Sequence, residues 1–209
     1  RREKKKREKE RKRERKKERE KERKKKKLVK VCEKELDIVL DIKYATNDNF
    51  TNKKVYNRSE CFLHPVAYEH LTLTIDIAMK IGYKLKIFDG FRPKESQQKL
   101  WDFLPSEDFL ASPEKGSPHS RGVAIDLTLI DKNNIELDMG TEFDEFSKLS
   151  FHGSKSISAE AFKNRSILLG LMTASGWDFF RNEWWHYQLF HSKKYPLLGD
   201  NDIKDPLTL

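Results

Sequence analysis

The sequence predicts an α+β fold: a single domain with a central antiparallel sheet, helices flanking it, and a metal site in a cleft on the sheet. Three observations predict it. Val123, Ile125, Leu127 and Leu129 alternate with Ala124, Asp126 and Thr128, the two-residue period of a strand with one apolar face. Apolar residues recur at helical spacing in 66–79 and again in 159–175. The 209 residues are enough for one domain with its own core, and nothing in them repeats.

Charge divides the chain into two parts. Residues 1–27 are only Arg, Lys and Glu, 20 basic and 7 acidic, a net of +13. The remaining residues, 28–209, carry a net of −4, so the overall +9 describes an extension and not the domain. A nucleic-acid-binding role for the domain loses its main support. The extension has no apolar face to bury, so it is expected to be disordered or a lone charged helix. Glu3 faces Arg7 and Glu8 faces Lys12, but Glu10, Glu14, Glu18 and Glu22 repel in series. A solvated appendage without a catalytic role is the preferred reading, over a polybasic arm drawn to nucleic acid or anionic lipid. Cys32 and Cys61 have no metal-like spacing and are expected as free thiols of a reduced compartment. No apolar run approaches the roughly 18–20 residues of a membrane span, and no apolar stretch follows the basic residues as in a secretory signal. These features point to the cytoplasm, with the periplasm left open.

Taken in order, 28–42 reads as a strand entering the domain, and Asn47, Asp48 and Asn49 then suit turns. Pro65 opens the helix over 66–79, which Gly82 ends, and His64 and His70 read as capping or surface histidines. Residues 84–88 form a short strand closing at Asp89-Gly90, and Pro93 opens a helix to about Phe103. A loop over 104–116, with Pro105, Pro113 and Gly116, leads to the strand over 123–130, and a turn follows at 131–134. The helix over 159–175 turns Ala161, Phe162, Ile167, Leu168, Leu171 and Met172 inward and stops at Gly176. Residues 177–180 lead to a last strand, and the chain from Tyr195 is loop-like.

Two stretches concentrate the chemistry: Ser117-Pro-His-Ser-Arg-Gly-Val-Ala-Ile-Asp126 and Glu183-Trp-Trp-His186. His119, Asp126 and His186 make three metal ligands without cysteine. That set suits zinc with its fourth position open, whereas a closed structural site or unrelated polar residues are the alternatives. Glu183 is left over as a carboxylate for proton transfer. Strand alternation would put Trp184, His186 and Gln188 on one face and Glu183, Trp185 and Tyr187 on the other. Glu183 therefore needs a turn at its own position to reach the metal, which Arg181-Asn182 would supply. Arg92 sits at a strand end, locked by Pro93, where it can donate two hydrogen bonds to an oxyanion. Read alone, it is equally a surface arginine paired with Asp89. His152 falls in no ligand spacing and reads as a loop residue or a support behind the ligands.

The spacing Ser117-x-His119-x6-Asp126 with Glu183-x-x-His186 far downstream resembles the zinc site of the D-alanyl-D-alanine metallopeptidases. HSRGVAIDLTL at 119–129, FDGFRP at 88–93 and EWWHYQL at 183–189 are similar to the VanX-type D-alanyl-D-alanine dipeptidases, as are KYATNDNF at 43–50 and MGTEFDEF at 139–146. The resemblance covers roughly 36–195. It implies one Zn2+ per chain held by His119, Asp126 and His186, with Glu183 as general base and Arg92 stabilising the transition state. It implies that Asp144 holds the ammonium of a free dipeptide, and that Ser117 and Tyr44 lie at the substrate. Read by residue type, Asp144 is a turn or N-cap residue and Tyr44 a packing residue. Pro118 removes a hydroxyl that some relatives place there, and Asn47 stands where the family usually shows Trp. The implied reaction is hydrolysis of D-alanyl-D-alanine, in cell-wall peptide metabolism or glycopeptide resistance. The alternatives are a zinc D,D-carboxypeptidase or endopeptidase acting on longer cell-wall peptides, and a non-catalytic zinc-binding module.

Overall fold

Seven strands and four α-helices occur among residues 27–209, the part of the chain that the computed structural model describes. They are β1 (Val29–Val31), α1 (Glu33–Leu36), β2 (Val39–Leu40), β3 (Cys61–Leu63), α2 (Pro65–Lys80), β4 (Lys84–Asp89), α3 (Lys94–Phe103), β5 (Ala124–Ile130), α4 (Ala159–Ala174), β6 (Trp177–Phe179) and β7 (His186–Leu189). Five strands form the main sheet in the order β2-β4-β5-β7-β6, and β1 and β3 pair separately.

The centre is β5, buried on both faces along its whole length. One face meets the helices. Ile125, Leu127 and Leu129 share a core with Leu71 and Ile75 of α2, Leu168 and Met172 of α4, and Trp177. α2 and α4 touch each other and reach β4 and β5 respectively. The other face carries Asp126. Cross-strand register places Asp89 of β4 opposite Asp126, and Asp126 opposite His186 of β7. Three polar residues thus stand in one row across three adjacent strands. The register of β4 on β5 shifts between Ile87 and Asp89, and such an irregularity re-aims a side chain.

Helix ends follow local chemistry. His64 caps α2, its Nδ1 accepting from the Val66 N–H at 3.2 Å, and Pro65 occupies the first turn, where its missing N–H costs nothing. Ser158 caps α4 by accepting from the Ala161 N–H at 3.0 Å. His70 binds the Ser175 carbonyl from α2, tying the end of α4 to it at 2.7 Å.

Some expectations are corrected. Residues 28–42 are not one strand: the short helix α1 interrupts them, ending at Asp37 in the left-handed region (φ 51°). The isolated apolar residues of that stretch feed two different sheets. The central sheet is antiparallel over β4-β5-β7-β6, but its edge strand β2 runs parallel to β4. Phe162 faces outward on α4, 50% exposed, because it lies away from the Leu168–Met172 stripe. The last residues are loop-like but anchored, with a 3₁₀ turn at Asp200–Asp202 and a bridge from Thr208 to Tyr56. Both cysteines are free thiols. Among the described residues no helix is long and apolar enough to cross a membrane. The disorder or lone helix expected for 1–27 falls, except for Lys27, outside the described residues.

Candidate metal centre and substrate pocket

His119 comes from a 3₁₀ turn (His119–Arg121) that Gly122 closes in the left-handed region (φ 67°). A Cβ on Gly122 would lie 2.5 Å from Leu28, so only glycine lets the chain return directly into β5. Asp126 and His186 arrive as cross-strand partners. The ligand atoms of the three residues lie within 4.8 Å of one another, all of them buried. The contacting atoms are closer still. His119 Nε2 is 3.1 Å from His186 Nδ1, and Asp126 Oδ1 is 3.3 and 3.0 Å from those two nitrogens.

The other ring nitrogens each have a partner outside the cluster. His119 Nδ1 lies 2.7 Å from the Gly90 carbonyl, which can only accept, so the proton sits there and Nε2 keeps its lone pair. His186 Nε2 lies 3.1 Å from Gln188 Oε1, which leaves the lone pair on Nδ1. In that pair of tautomers two lone pairs and a carboxylate oxygen face one point. Such a set could hold a metal ion, and its outer hydrogen bonds are of the kind that orient ligating imidazoles. Gly90 supports the arrangement because a side chain there would strike Cys61 Sγ at 2.6 Å.

All eight residues singled out from the sequence line one cavity of about 330 Å³: Tyr44, Arg92, Ser117, His119, Asp126, Asp144, Glu183 and His186. The expected turn at Glu183 is present. Residues 181–182 and 184–185 are turn, β7 begins only at His186, and the Glu183 N–H donates to the Phe180 carbonyl at 3.2 Å. The strand alternation expected before His186 therefore fails. Trp185 joins Glu183, His186 and Gln188 on the cavity wall, while Trp184 turns away and donates from Nε1 to Thr141 Oγ1 at 2.8 Å. Glu183 Oε2 comes to 4.0 Å from His186 Nδ1. Burial pushes the Glu183 carboxyl well above the usual carboxylate range, and the charges of Asp126 and Asp144 add to it. Asp126 goes the other way: burial opposes its charge, but the imidazoles of His119 and His186 outweigh burial and hold its carboxyl well below that range.

Arg92 is both paired with Asp89 and at the site, and it is no surface residue, being 4% exposed. Its Nε donates to Asp89 Oδ2 at 2.9 Å, one terminal nitrogen is ion-paired with the same oxygen at 2.8 Å, and the other terminal nitrogen donates to Gln97 Oε1 at 2.9 Å. Each terminal nitrogen retains a second N–H, and the nitrogen beside Asp89 also faces Asp126 Oδ2 at 3.6 Å. Tyr56 Oη completes the cluster by donating to Asp89 Oδ1 at 2.9 Å. Tyr44 Oη donates to Asp144 Oδ2 at 2.9 Å, and the Tyr44 ring lies under the guanidinium at 5.0 Å. Burial and the Asp126 charge push the Asp144 carboxyl well up. Ser117 Oγ accepts from the His119 N–H at 3.1 Å, so it also shapes the ligand turn. Asn47 is exposed and is not among the residues that line the cavity.

Sequence reading missed the supports. The Gly90 carbonyl left no trace, because every residue has one. Gln188 stood inside EWWHYQL, a motif that does not state what its members bind, whereas Asp89 was expected as a partner of Arg92 and is one. Gln97, Phe109 and Phe180 had no local signal, and Phe146 stood inside MGTEFDEF without marking an aromatic wall.

The profile of Peptidase_M15, described as D-ala-D-ala dipeptidase, matches residues 24–200. D-alanyl-D-alanine dipeptidase of Escherichia coli K12 is 40% identical over 164 residues, which cover 78% of this chain and 85% of that protein. The Enterococcus faecium protein of the same name is 36% identical over 177 residues, covering 75% of this chain and 87% of that one. Among solved structures, the L-Ala D-Glu endopeptidase ChiX of Serratia marcescens matches with a TM-score of 0.41 at 10% identity, over 63% of this chain and 84% of that chain. With the profile spanning the whole sheet together with His119, Asp126 and His186, the chain belongs to the Peptidase_M15 family of D-ala-D-ala dipeptidases.

Proposed function

We propose that the protein hydrolyses D-alanyl-D-alanine to two molecules of D-alanine, using one zinc ion held by His119, Asp126 and His186. The observation that carries the zinc assignment is the spacing of the donor atoms. At zinc–ligand lengths of about 2.0–2.1 Å, tetrahedral ligands stand about 3.3 Å apart. The three contacts here are 3.0, 3.1 and 3.3 Å. Two imidazoles and a carboxylate leave one position for water or substrate, and no cysteine is near. When bound, zinc supplies Lewis acidity that makes water a nucleophile at neutral pH and polarises the scissile carbonyl.

The chain's own residues do the rest. Glu183 accepts the proton of the attacking water at a carboxylate oxygen and hands it to the departing amine. Its burial favours the protonated form midway through that transfer. The remaining terminal N–H groups of Arg92 stabilise the oxyanion that develops on the carbonyl, preorganised by Asp89 and Gln97. Asp144, with one oxygen already bound by Tyr44, offers the other to the substrate ammonium. Ser117 lies beside the ligand turn at the substrate. A cavity of about 330 Å³ is at the small end of ligand sites, which favours a dipeptide over a longer peptide. The catalytic unit is 28–209, and 1–27 adds charge without chemistry. Two free thiols support a cytoplasmic location.

Release of free D-alanine from D-alanyl-D-alanine and from a pentapeptide ending in it, with and without chelator, tests the reading. Chelator-sensitive turnover of the dipeptide is expected, with little from the pentapeptide. Glu183→Gln should lower kcat about 10²–10⁴-fold. Faster turnover of the pentapeptide would make the protein a carboxypeptidase instead.

A further inference from the structure

Asp89 meets Arg92 through a single oxygen, Oδ2, which accepts from Nε at 2.9 Å and is ion-paired with one terminal nitrogen at 2.8 Å. One oxygen is a pivot: the guanidinium can swing about it without losing either contact. Gln97, in the first turn of α3 and 2% exposed, stops that swing. Its Oε1 accepts from the third nitrogen of Arg92 at 2.9 Å, and its Nε2 donates to the Ala111 carbonyl at 2.8 Å. The amide has only one possible orientation, because a guanidinium only donates and a carbonyl only accepts.

Ala111 belongs to the loop over 104–116, which lines the cavity through Glu107, Phe109, Leu110 and Ala111. That loop is seated from two other sides. Phe109 stacks on Phe146 with ring centres 4.9 Å apart, and Asn182, next to Glu183, donates to the Asp108 carbonyl at 3.1 Å. Gln97 therefore joins the presumed oxyanion donor to the seated loop through one buried side chain.

We propose that Gln97 is a positioning residue for Arg92. It fixes the guanidinium plane so that the remaining terminal N–H groups face the reacting carbonyl, and it ties the same side chain to the seated loop. The proposal rests on the role given to Arg92 above and deepens it. A displacement of about 1 Å in a positioned catalytic group can cost on the order of 10²-fold in rate.

The experiment is steady-state turnover of D-alanyl-D-alanine by the zinc-loaded full chain, with thermal stability and zinc content measured on each variant. In Gln97→Met, kcat should fall about 10–100-fold while KM stays within about threefold and zinc content is unchanged. In an Arg92→Ala background the same substitution should have no further effect, since it acts only through that guanidinium. Gln97→Glu keeps an acceptor for Arg92 and loses the donor to Ala111. It should hold kcat within about threefold of wild type while raising KM. An unchanged kcat in Gln97→Met, or an equal loss in the Arg92→Ala background, would overturn the proposal. If Gln97→Met does not fold, a kcat for Gln97→Glu as low as that of Arg92→Ala overturns it alone. The Arg92 Nε–H resonance, protected against Asp89 in the wild type, should broaden in Gln97→Met. A wild-type enzyme inert on the dipeptide would sink the functional reading, while this resonance would still decide on Gln97.

Discussion

Asp144 holds its position at a conformational cost. Its φ of 61° lies in the left-handed region, where aspartate and asparagine are the side chains best tolerated. That backbone turns the carboxyl into the cavity, against Tyr44. Asp144→Asn keeps both the tolerated backbone and an acceptor for the Tyr44 hydroxyl, so it removes the charge and little else. A charged hydrogen bond to the substrate ammonium contributes about 1.5–3 kcal/mol. The kcat/KM for D-alanyl-D-alanine should therefore fall about 10–150-fold. The N-acetylated dipeptide, which has no ammonium, should be turned over equally by both forms. Equal losses on the two substrates would show that Asp144 only shapes the loop. This residue was legible in the sequence solely through its resemblance, because an aspartate at a turn announces no ligand. His119, Asp126 and His186 were legible from their chemistry and spacing. Their partners Gly90 and Gln188 were not, since a backbone carbonyl and a lone glutamine acquire meaning only when folding aims them.

The element that places Glu183 is the turn from Phe180 to His186, and a second segment braces it. The His152 N–H donates to the Arg181 carbonyl at 2.9 Å, and the Trp184 N–H donates to the Ser150 carbonyl at 3.1 Å. A turn was inferable because Glu183 and His186 had to share a pocket. The brace was not, because thirty residues of loop and helix separate it from the turn it holds. The same limit explains α1, which broke the strand expected over 28–42 without any Gly or Pro to mark it. His152 itself sits edge-on to Phe179 and Tyr187, with its Nε2 buried and unbonded. Burial, with the nearby Arg165 charge, pushes the imidazole down from 6.5 to about 4. The folded protein therefore keeps His152 neutral where the unfolded chain would take up a proton. Stability from this source is full above pH 6.5 and is lost as pH falls toward 4. Between pH 7.5 and 4.5 the loss from this one group should be about 2.5 kcal/mol. Urea denaturation of the metal-free protein and of His152→Gln at both pH values measures it. The wild type should lose about that much more than the variant, and parallel losses would show that His152 titrates normally in the fold.

At the scale of the whole molecule, a cation held by His119, Asp126 and His186 would act as a clasp across the sheet. Asp126 and His186 belong to adjacent strands, His119 hangs from the turn before β5, and the Gly90 carbonyl fixes His119 from the end of β4. The helix-side core of Ile125, Leu127 and Leu129 holds the same strands from behind. Those two supports differ in kind: the core is apolar and indifferent to chelators, whereas the clasp gathers three electron-rich atoms that repel one another without a cation between them. Folding and metal binding are therefore linked. At free zinc about a thousand times its dissociation constant, binding adds about 4 kcal/mol to stability. For a domain of this size, each kcal/mol moves Tm by about 2–4 °C. Chelation should accordingly lower Tm by roughly 8–16 °C, and restoring zinc should reverse it. Glu183→Gln, which removes the proton acceptor and leaves every ligand in place, should show the same chelator-dependent shift although it is inactive. His186→Ala should show none, since two remaining donors cannot close the sheet around an ion. Calorimetric scans of the three proteins with and without chelator decide the matter. A wild-type Tm indifferent to chelator would mean that the apolar face alone holds these strands in register, and that the row from Asp89 to His186 gathers without a cation.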